Sequence, residues 1–376
     1  MSPEKRKIII SVVSDLVTDQ RVNRAATALH EAGFLVTLVG RRKKSSLALS
    51  KRPYSTKRFY LLFEKGPLFY LHYNFCLFIY LLFKKADVYL SNDLDTLLAN
   101  YLASKLKGVK LVYDSHEYFT EVPELVSRPA VQAIWLKLEK WIFPKLKKVM
   151  TVNDSIASFY RKKYNVPVHV VRNLPVKSTQ TFQKESRKNW NIPEDKKVFL
   201  FQGAGINIDR GGEEAIRAIQ RVDGAVLLFI GGGDVLNNLK ALITSTHAEE
   251  KVFFIPQQPF NELLRFTSMA DFGLTLDKDT NLNYKYSLPN KLFDYIQAGL
   301  PVLATDLPEV KRIVDQYDVG LITTSIETDV LAAKMREMMH DEDQLARWKK
   351  NLNIAASELC WENEKKNFLE LFTDVG

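Results

Sequence analysis

Cysteine is nearly absent from this 376-residue chain, with Cys76 and Cys360 the only two. Two thiols cannot build a disulfide framework or a thiolate metal cluster, and their scarcity favours a reducing, cytoplasmic setting. Also missing are a Ser-His-Asp spacing, an H-E-x-x-H motif and a Cys-His zinc pattern, which leaves hydrolase and metalloprotease readings without support. Neither the G-x-G-x-x-G fingerprint nor the P-loop Gly-Lys-Ser/Thr occurs, so NAD and direct triphosphate chemistry are disfavoured. There is no low-complexity tract and no short repeat.

Long apolar runs are scarce as well. Ile8 to Val13 resembles the core of a signal peptide, but Asp15 breaks it, and a first buried strand is expected instead. Pro67 to Phe83 reads PLFYLHYNFCLFIYLLF, interrupted by His72, Tyr73 and Asn74. A membrane span needs roughly 20 apolar residues, and this run lies between two strands of one sheet, where crossing a bilayer would tear the domain apart. It is expected to be a buried helix, or one resting an aromatic face on a membrane interface.

What is present is a globular composition, 46% hydrophobic and 26% charged, with a net charge of +9. The charge is unevenly placed. Residues 1–172 carry 29 Lys and Arg against 14 Asp and Glu, and the remainder 24 against 30. Basic stretches such as RRKKSSLALSKRPYSTKR, Arg41 to Arg58, are either solvated loops or the footprint of an anionic partner. With no stacking motif or recognition helix, nucleic acid is not expected, and an acidic membrane surface is the better candidate.

The length suggests two or three domains. Strand-like runs alternate with helix-like ones: KIIISVV, LVTLVG, DVYLS, KLVYDS and VMTVN, then KVFLFQG, AVLLFIGGG, KVFFIP, DFGLTLD and PVLATD. This predicts an α/β protein with doubly wound parallel sheets. A polar interval from Pro175 to Lys197 breaks the rhythm and reads as an interdomain linker. The domains predicted are 1–174 and 175–358, followed by a terminal helix in 359–376.

In open α/β sheets, ligands gather outside the carboxyl ends of the strands. His116 and Glu117 leave KLVYD, where a neutral imidazole would hydrogen-bond a sugar hydroxyl or exchange protons near pH 7. The turn GAGINIDRGG after KVFLFQ offers Gly203 and Gly205 for close backbone approach, and Arg210 as a fork for phosphate. GGGD, Gly231 to Asp234, is another turn with no side chains in the way. YKYSLPNKLFDYIQAGLPVLATDLPE then places Pro289 at the start of a helix and Gly299 and Pro301 at its end. Asn290 and Lys291 lie in its first turn, where free amides and the helix dipole favour an anion. Asp294 follows Pro289 by five residues, roughly 7.5 Å along the axis at 1.5 Å per residue. That spacing suits a diphosphate at the helix start and a ribose diol on the carboxylate. Of two D-x-D sequences, Asp93-Leu-Asp95 is expected to cap a helix and Asp277-Lys-Asp279 to start a polar loop. Arg210, Lys291 and the helix dipole can neutralise phosphate, so no metal is expected.

The ordered set TDQRVNRAATALHEAGFLVTLVG, YDSHEYF, VRNLP, FQGAGINIDRGG, GGGD and SLPNKLFDYIQAGLPVLATDLPE resembles glycosyltransferase family 4. So does the terminal CWENEKKNFLELF. The resemblance spans nearly the whole chain. It implies the GT-B fold, with two Rossmann-like domains facing across a cleft, and retaining sugar transfer without metal or other cofactor, of the type serving bacterial polysaccharide synthesis. The first domain would bind an acceptor, a glycan or lipid-linked alcohol, through a loop holding Asp19 and Arg21 in place of the family's usual glycines. The second would bind a nucleotide-diphosphate sugar, and the last helix, Glu362 to Leu371, would cross back to the first.

By the same resemblance His116 stands near the transferred sugar. Arg210 and Lys291 stand on the phosphates, while Gly203, Gly205, Gly232, Ser287, Leu288, Asn290 and Asp294 surround the donor. Asp294 matches the ribose-binding second acid of an E-x7-E motif whose first acid is Tyr286 here, and Ala204 replaces an arginine of the phosphate-binding pair. Those departures keep two alternatives open: a nucleotide-sugar epimerase of GT-B fold, or a noncatalytic nucleotide-sugar-binding subunit of a polysaccharide assembly complex. The protein is expected in the cytoplasm, with the inner face of the cytoplasmic membrane as a candidate contact.

Overall fold

A computed structural model describes residues 5–177 and 184–373. The chain divides into two compact units, residues 1–173 with 364–376, and residues 174–363.

The first unit is built on a parallel sheet of seven strands: β1 (Lys7–Asp15), β2 (Leu35–Arg42), β3 (Ser55–Tyr60), β4 (Val88–Asn92), β5 (Lys110–Ser115), β6 (Lys148–Thr151) and β7 (Val168–Val170). Their order is β3-β2-β1-β4-β5-β6-β7. Because helices cover both faces, the central strands read as continuous apolar runs rather than alternating ones. Ile8, Ile9 and Ile10 are all buried accordingly. Residues 364–373 belong to this unit. The buried carboxylate of Glu364 accepts from the Arg172 amide at 2.9 Å and from its guanidinium at 3.0 Å, and Lys148 Nζ donates to the Leu371 carbonyl at 2.8 Å.

The second unit holds six parallel strands: β8 (Lys197–Gly203), β9 (Ala225–Gly231), β10 (Val252–Pro256), β11 (Phe272–Thr275), β12 (Val302–Thr305) and β13 (Gly320–Thr323). Their order is β10-β9-β8-β11-β12-β13. Helix Asn290–Gln297 is docked on this sheet by Tyr295. The ring lies where a Cβ on Gly273 would sit, 2.3 Å from that position, and its hydroxyl accepts from the Gln202 amide at 2.9 Å. The same hydroxyl lies 3.1 Å from the Leu200 carbonyl and 3.2 Å from that of Leu274. This docking points the start of the helix toward the carboxyl ends of β8 and β11.

Strands β3, β7 and β13, absent from the sequence reading, are all at sheet edges. β7 and β13 are short, and β3 (STKRFY) is polar, so neither length nor apolar content marks them. Of the supposed linker, residues 178–183 lie outside the described residues. The part from Glu185 packs on the second unit: Arg187 pairs with Asp271 at 2.8 Å and Trp190 meets Phe266 edge-on.

Helix Pro67–Phe83 has the bounds read from the sequence, but burial of the whole helix does not follow. Phe69, Tyr73, Leu77 and Leu81 face the core, while Leu71, Phe75, Ile79 and Phe83 are exposed. Among the described residues no helix is long and apolar enough to cross a membrane.

Candidate active site

In the second unit the carboxyl ends of β8 and β9 lead into glycine-containing loops that bond to each other. Gly232 donates its amide to the Gly203 carbonyl at 3.1 Å, and Ile206 donates to Gly232 at 2.8 Å. The glycines there fall into two groups. At Gly231 and Gly233, both with positive φ, a Cβ would collide with backbone at 1.8 Å and 2.1 Å, so the fold itself demands glycine. At Gly203, Gly205 and Gly232 a Cβ would have no neighbour nearer than 3.5 Å. Nothing within the protein requires glycine at these three positions, all from the donor set of the sequence reading. Their bare backbone leaves room for something outside the chain.

The adjoining charges converge on Asp277, just past β11. Its Oδ1 lies 3.2 Å from Arg210 Nη1 and 3.4 Å from Lys291 Nζ, and Thr305 Oγ1 donates to its carbonyl at 2.8 Å. Asp277 is 1% exposed and Lys291 9%. Asp277 is therefore not the start of a solvated loop, as its D-x-D sequence suggested, but a buried clamp on the two cations proposed for phosphate. The signal that could have found it was its position at a strand's carboxyl end, the same rule that selected His116. The Arg210 guanidinium also lies over the Tyr284 ring at 4.0 Å, and the Lys291 ammonium over Phe201 at 4.7 Å.

This cluster is electrically unfinished. Two cations face one carboxylate, and burial pulls the Lys291 pKa down, opposed by Asp277 and reinforced by Arg210. Arg210 Nε and Asp277 Oδ2 are buried with no hydrogen-bond partner. Such atoms cost about 1–3 kcal/mol each while unsatisfied, and an incoming oxyanion would satisfy the guanidinium.

Around the cluster stand the other donor-side residues. Pro289 precedes helix Asn290–Gln297 as its cap position rather than forming its first residue, and no side chain caps the start. The Ser287 hydroxyl donates to the Tyr284 carbonyl at 2.9 Å, and Leu288 packs against the core beneath. Asp294 Oδ2 accepts from Gln202 Nε2 at 3.2 Å, and Gln202 is itself oriented by Thr267 Oγ1 at 2.6 Å.

In the first unit His116 differs from expectation. Its Nε2 is 3.1 Å from Asp114 Oδ2 and 3.1 Å from Asn92 Oδ1, its Nδ1 is 3.2 Å from Asp93 Oδ2, and its amide donates to Asp93 Oδ1 at 2.8 Å. Burial disfavours the charged ring, but Asp93 and Asp114 outweigh it and raise the pKa to about 9. The raised pKa favours the charged ring at neutral pH, where the sequence suggested a neutral one. Asp93 is corrected with it: it occupies the cap position of helix Leu94–Lys107, yet its side chain makes no cap bond and turns to His116 instead. Asp95 behind it is buried, and burial followed by the Asp93 charge pushes its carboxyl well above the ordinary range.

Arg21 closes the network by forking onto Asp114, with bonds of 2.7, 3.0 and 3.2 Å, and by reaching the Val171 carbonyl at 3.2 Å. Asp19 caps helix Gln20–Glu31 through the Val22 amide at 3.1 Å and accepts from Ser14 Oγ at 2.6 Å. Both acceptor-side candidates therefore have work within the fold. Among the described residues no group of three or more His, Cys, Asp or Glu is placed to hold a metal ion.

Residues 19–174 match the family described as Glycosyltransferase Family 4, and residues 182–353 match Glycosyl transferases group 1. The chain belongs to glycosyltransferase family 4. This transferase is 20% identical over 277 residues to N-acetyl-alpha-D-glucosaminyl L-malate synthase of Bacillus anthracis, covering 69% of each protein. Its fold is GT-B. Sucrose-phosphate synthase from Thermosynechococcus elongatus superposes with a TM-score of 0.80, at 16% identity and 98% coverage of both chains. HepE of Anabaena in complex with UDP-glucose gives 0.72, at 14% identity, covering 98% of this chain and 99% of that one.

Proposed function

We propose that this glycosyltransferase moves a sugar, with retention of anomeric configuration and without a metal ion, from a nucleotide-diphosphate sugar to a hydroxyl of a glycan or lipid-linked acceptor at an anionic membrane surface. The observation that carries the donor half is the cluster of Arg210 and Lys291 on the buried Asp277, with its surplus positive charge beside an uncapped helix start. Breaking the bond from anomeric carbon to phosphate oxygen develops negative charge on the leaving diphosphate. Arg210, Lys291 and the amides near Asn290 would stabilise that charge from fixed positions in a desolvated setting. The acceptor oxygen forms the new bond to the anomeric carbon and passes its proton to the departing phosphate oxygen. With its pKa raised to about 9 between Asp93 and Asp114, His116 is a poor acceptor for that proton at neutral pH. Its role in this reading is to fix the charge and position of Asp93 and Asp114. Asp294, steered by Gln202, would hold the ribose diol.

The related HepE was crystallised with UDP-glucose, which makes uridine donors the first to try. The test is a thermal-shift screen against UDP-, GDP-, ADP- and dTDP-sugars, followed by transfer assays with the stabilising donor. A ligand at 100 times its dissociation constant stabilises by about 2.7 kcal/mol, so the true donor will stand out. Consumption of donor that is independent of any acceptor would replace transfer with epimerisation or hydrolysis, and a total lack of stabilisation would defeat the reading.

A further inference from the structure

Helices Pro67–Phe83, Leu94–Lys107 and Pro129–Ile142 pack side by side in the first unit. Tyr70 meets Trp135 with ring centres 5.3 Å apart, and Tyr101 meets Trp141 at 5.7 Å. Their sequences contain only two carboxylates, Asp95 and Glu139, and both are buried. Glu139 is occupied by Lys163 at 2.9 Å and Tyr164 at 2.5 Å. The outward side of the three helices thus presents no acidic group at all. It does present Lys105, Lys137 and Lys140, and the following turn adds Lys145, whose ammonium sits over the Trp141 ring at 5.0 Å.

Between these lysines large apolar side chains stand in solvent. Phe75 is 63% exposed, Leu106 70% and Ile134 66%, with Leu71, Phe83 and Trp141 also exposed. Scattered single apolar residues on a surface need no explanation, but here they share three adjoining helices with cations of one sign. A second copy of the chain is a poor occupant, because a twofold contact would set lysines against lysines. Apolar side chains interspersed with lysines, on helices that expose no carboxylate of their own, match a negatively charged headgroup layer.

We propose that the outer face of these three helices is a docking surface for an anionic lipid bilayer, lying in the headgroup plane rather than crossing it. This deepens the membrane part of the proposed function, and its test uses neither donor nor acceptor, so either can fail while the other stands. The full-length protein is floated with phosphatidylcholine vesicles, with and without phosphatidylglycerol, at low and high salt. Flotation is expected with the anionic vesicles alone, weakening as salt rises. Each of Lys105→Gln, Lys137→Gln and Lys140→Gln should lower the partition coefficient about fivefold, the equivalent of the ~1 kcal/mol a basic residue contributes at such a surface. The combination Phe75→Ser, Leu106→Ser and Ile134→Ser should abolish flotation without lowering the melting temperature, since these side chains are exposed, whereas Lys349→Gln in the second unit should change nothing. Failure to float with anionic vesicles at low salt overturns the proposal, as does flotation that survives the triple serine substitution. Self-association removed by those serines, with no flotation, would make the face a protein interface and overturn it equally.

Discussion

The carboxylate of Asp277 lies 3.4 Å from the Lys291 ammonium, and both residues are buried. A buried ion pair adds little net stability, but removing one partner strands the other as an uncompensated charge. Here Asp277 has two cations to answer for, since Arg210 shares the same oxygen. Asp277→Asn is therefore expected to destabilise the protein by about 3–5 kcal/mol in urea unfolding. Excess nucleoside diphosphate should restore part of that loss, because it supplies the missing negative charge. A change below about 1 kcal/mol would show the cluster to be better hydrated than its burial implies.

Arg210→Ala should leave the far-ultraviolet circular dichroism spectrum intact and lower kcat by about 10²–10³, the usual loss on removing one preorganised group that stabilises charge in a transition state. Arg210→Lys should recover only part, since an ammonium cannot fork onto two phosphate oxygens. Steady-state kinetics with the identified donor decide this, and near-normal turnover would remove Arg210 from the phosphate site.

The two groups of glycines make a paired prediction. Gly231→Ala places a methyl 1.8 Å from the Gly203 carbonyl at a positive φ, so this variant should fold poorly or not at all. Gly232→Ala meets the Gln257 side chain at 3.5 Å and the Ala204 carbonyl at 4.0 Å, both ordinary contacts, and should melt near the wild-type temperature. If donor phosphates approach that backbone, Gly232→Ala should still raise the donor KM about tenfold, a loss of ~1.4 kcal/mol in binding. Equal donor KM in Gly232→Ala and wild type would place the donor elsewhere.

His116 carries a pH signature. Its pKa is raised from 6.5 to about 9 in the folded protein. The stabilisation it brings is fully present below the unfolded value of 6.5 and is lost as pH rises through 9. Unfolding free energy should accordingly fall between pH 6.5 and 9, by up to about 3 kcal/mol, because each tenfold gain in proton affinity on folding is worth ~1.4 kcal/mol. His116→Gln should flatten that fall. Urea titrations at several pH values measure both slopes, and an unchanged slope in the variant would assign the effect to another group.

Much of this molecule is local in origin. The βαβ alternation, the turn at Gly299 with φ of 72°, the bounds of helix Pro67–Phe83 and the Asp19 cap arise within a few residues of one another. Hydrophobic period and backbone restriction act at that range, which is why the strand exits bearing His116 and Arg210 and the helix start bearing Lys291 could be read directly. The edge strands escaped because they are polar or short and owe their conformation to a neighbour's hydrogen bonds.

Charge and burial are different. The sequence by itself determined which residues leave the carboxyl ends of the strands. Only tertiary structure decided that Asp277 turns inward to clamp Arg210, 67 positions away, and that His116 sits between Asp93 and Asp114. It likewise decided that one side of an apolar helix faces water. The physical reason is that a pKa or a burial depends on which distant groups share a few ångströms of space, and chain packing alone brings those groups together.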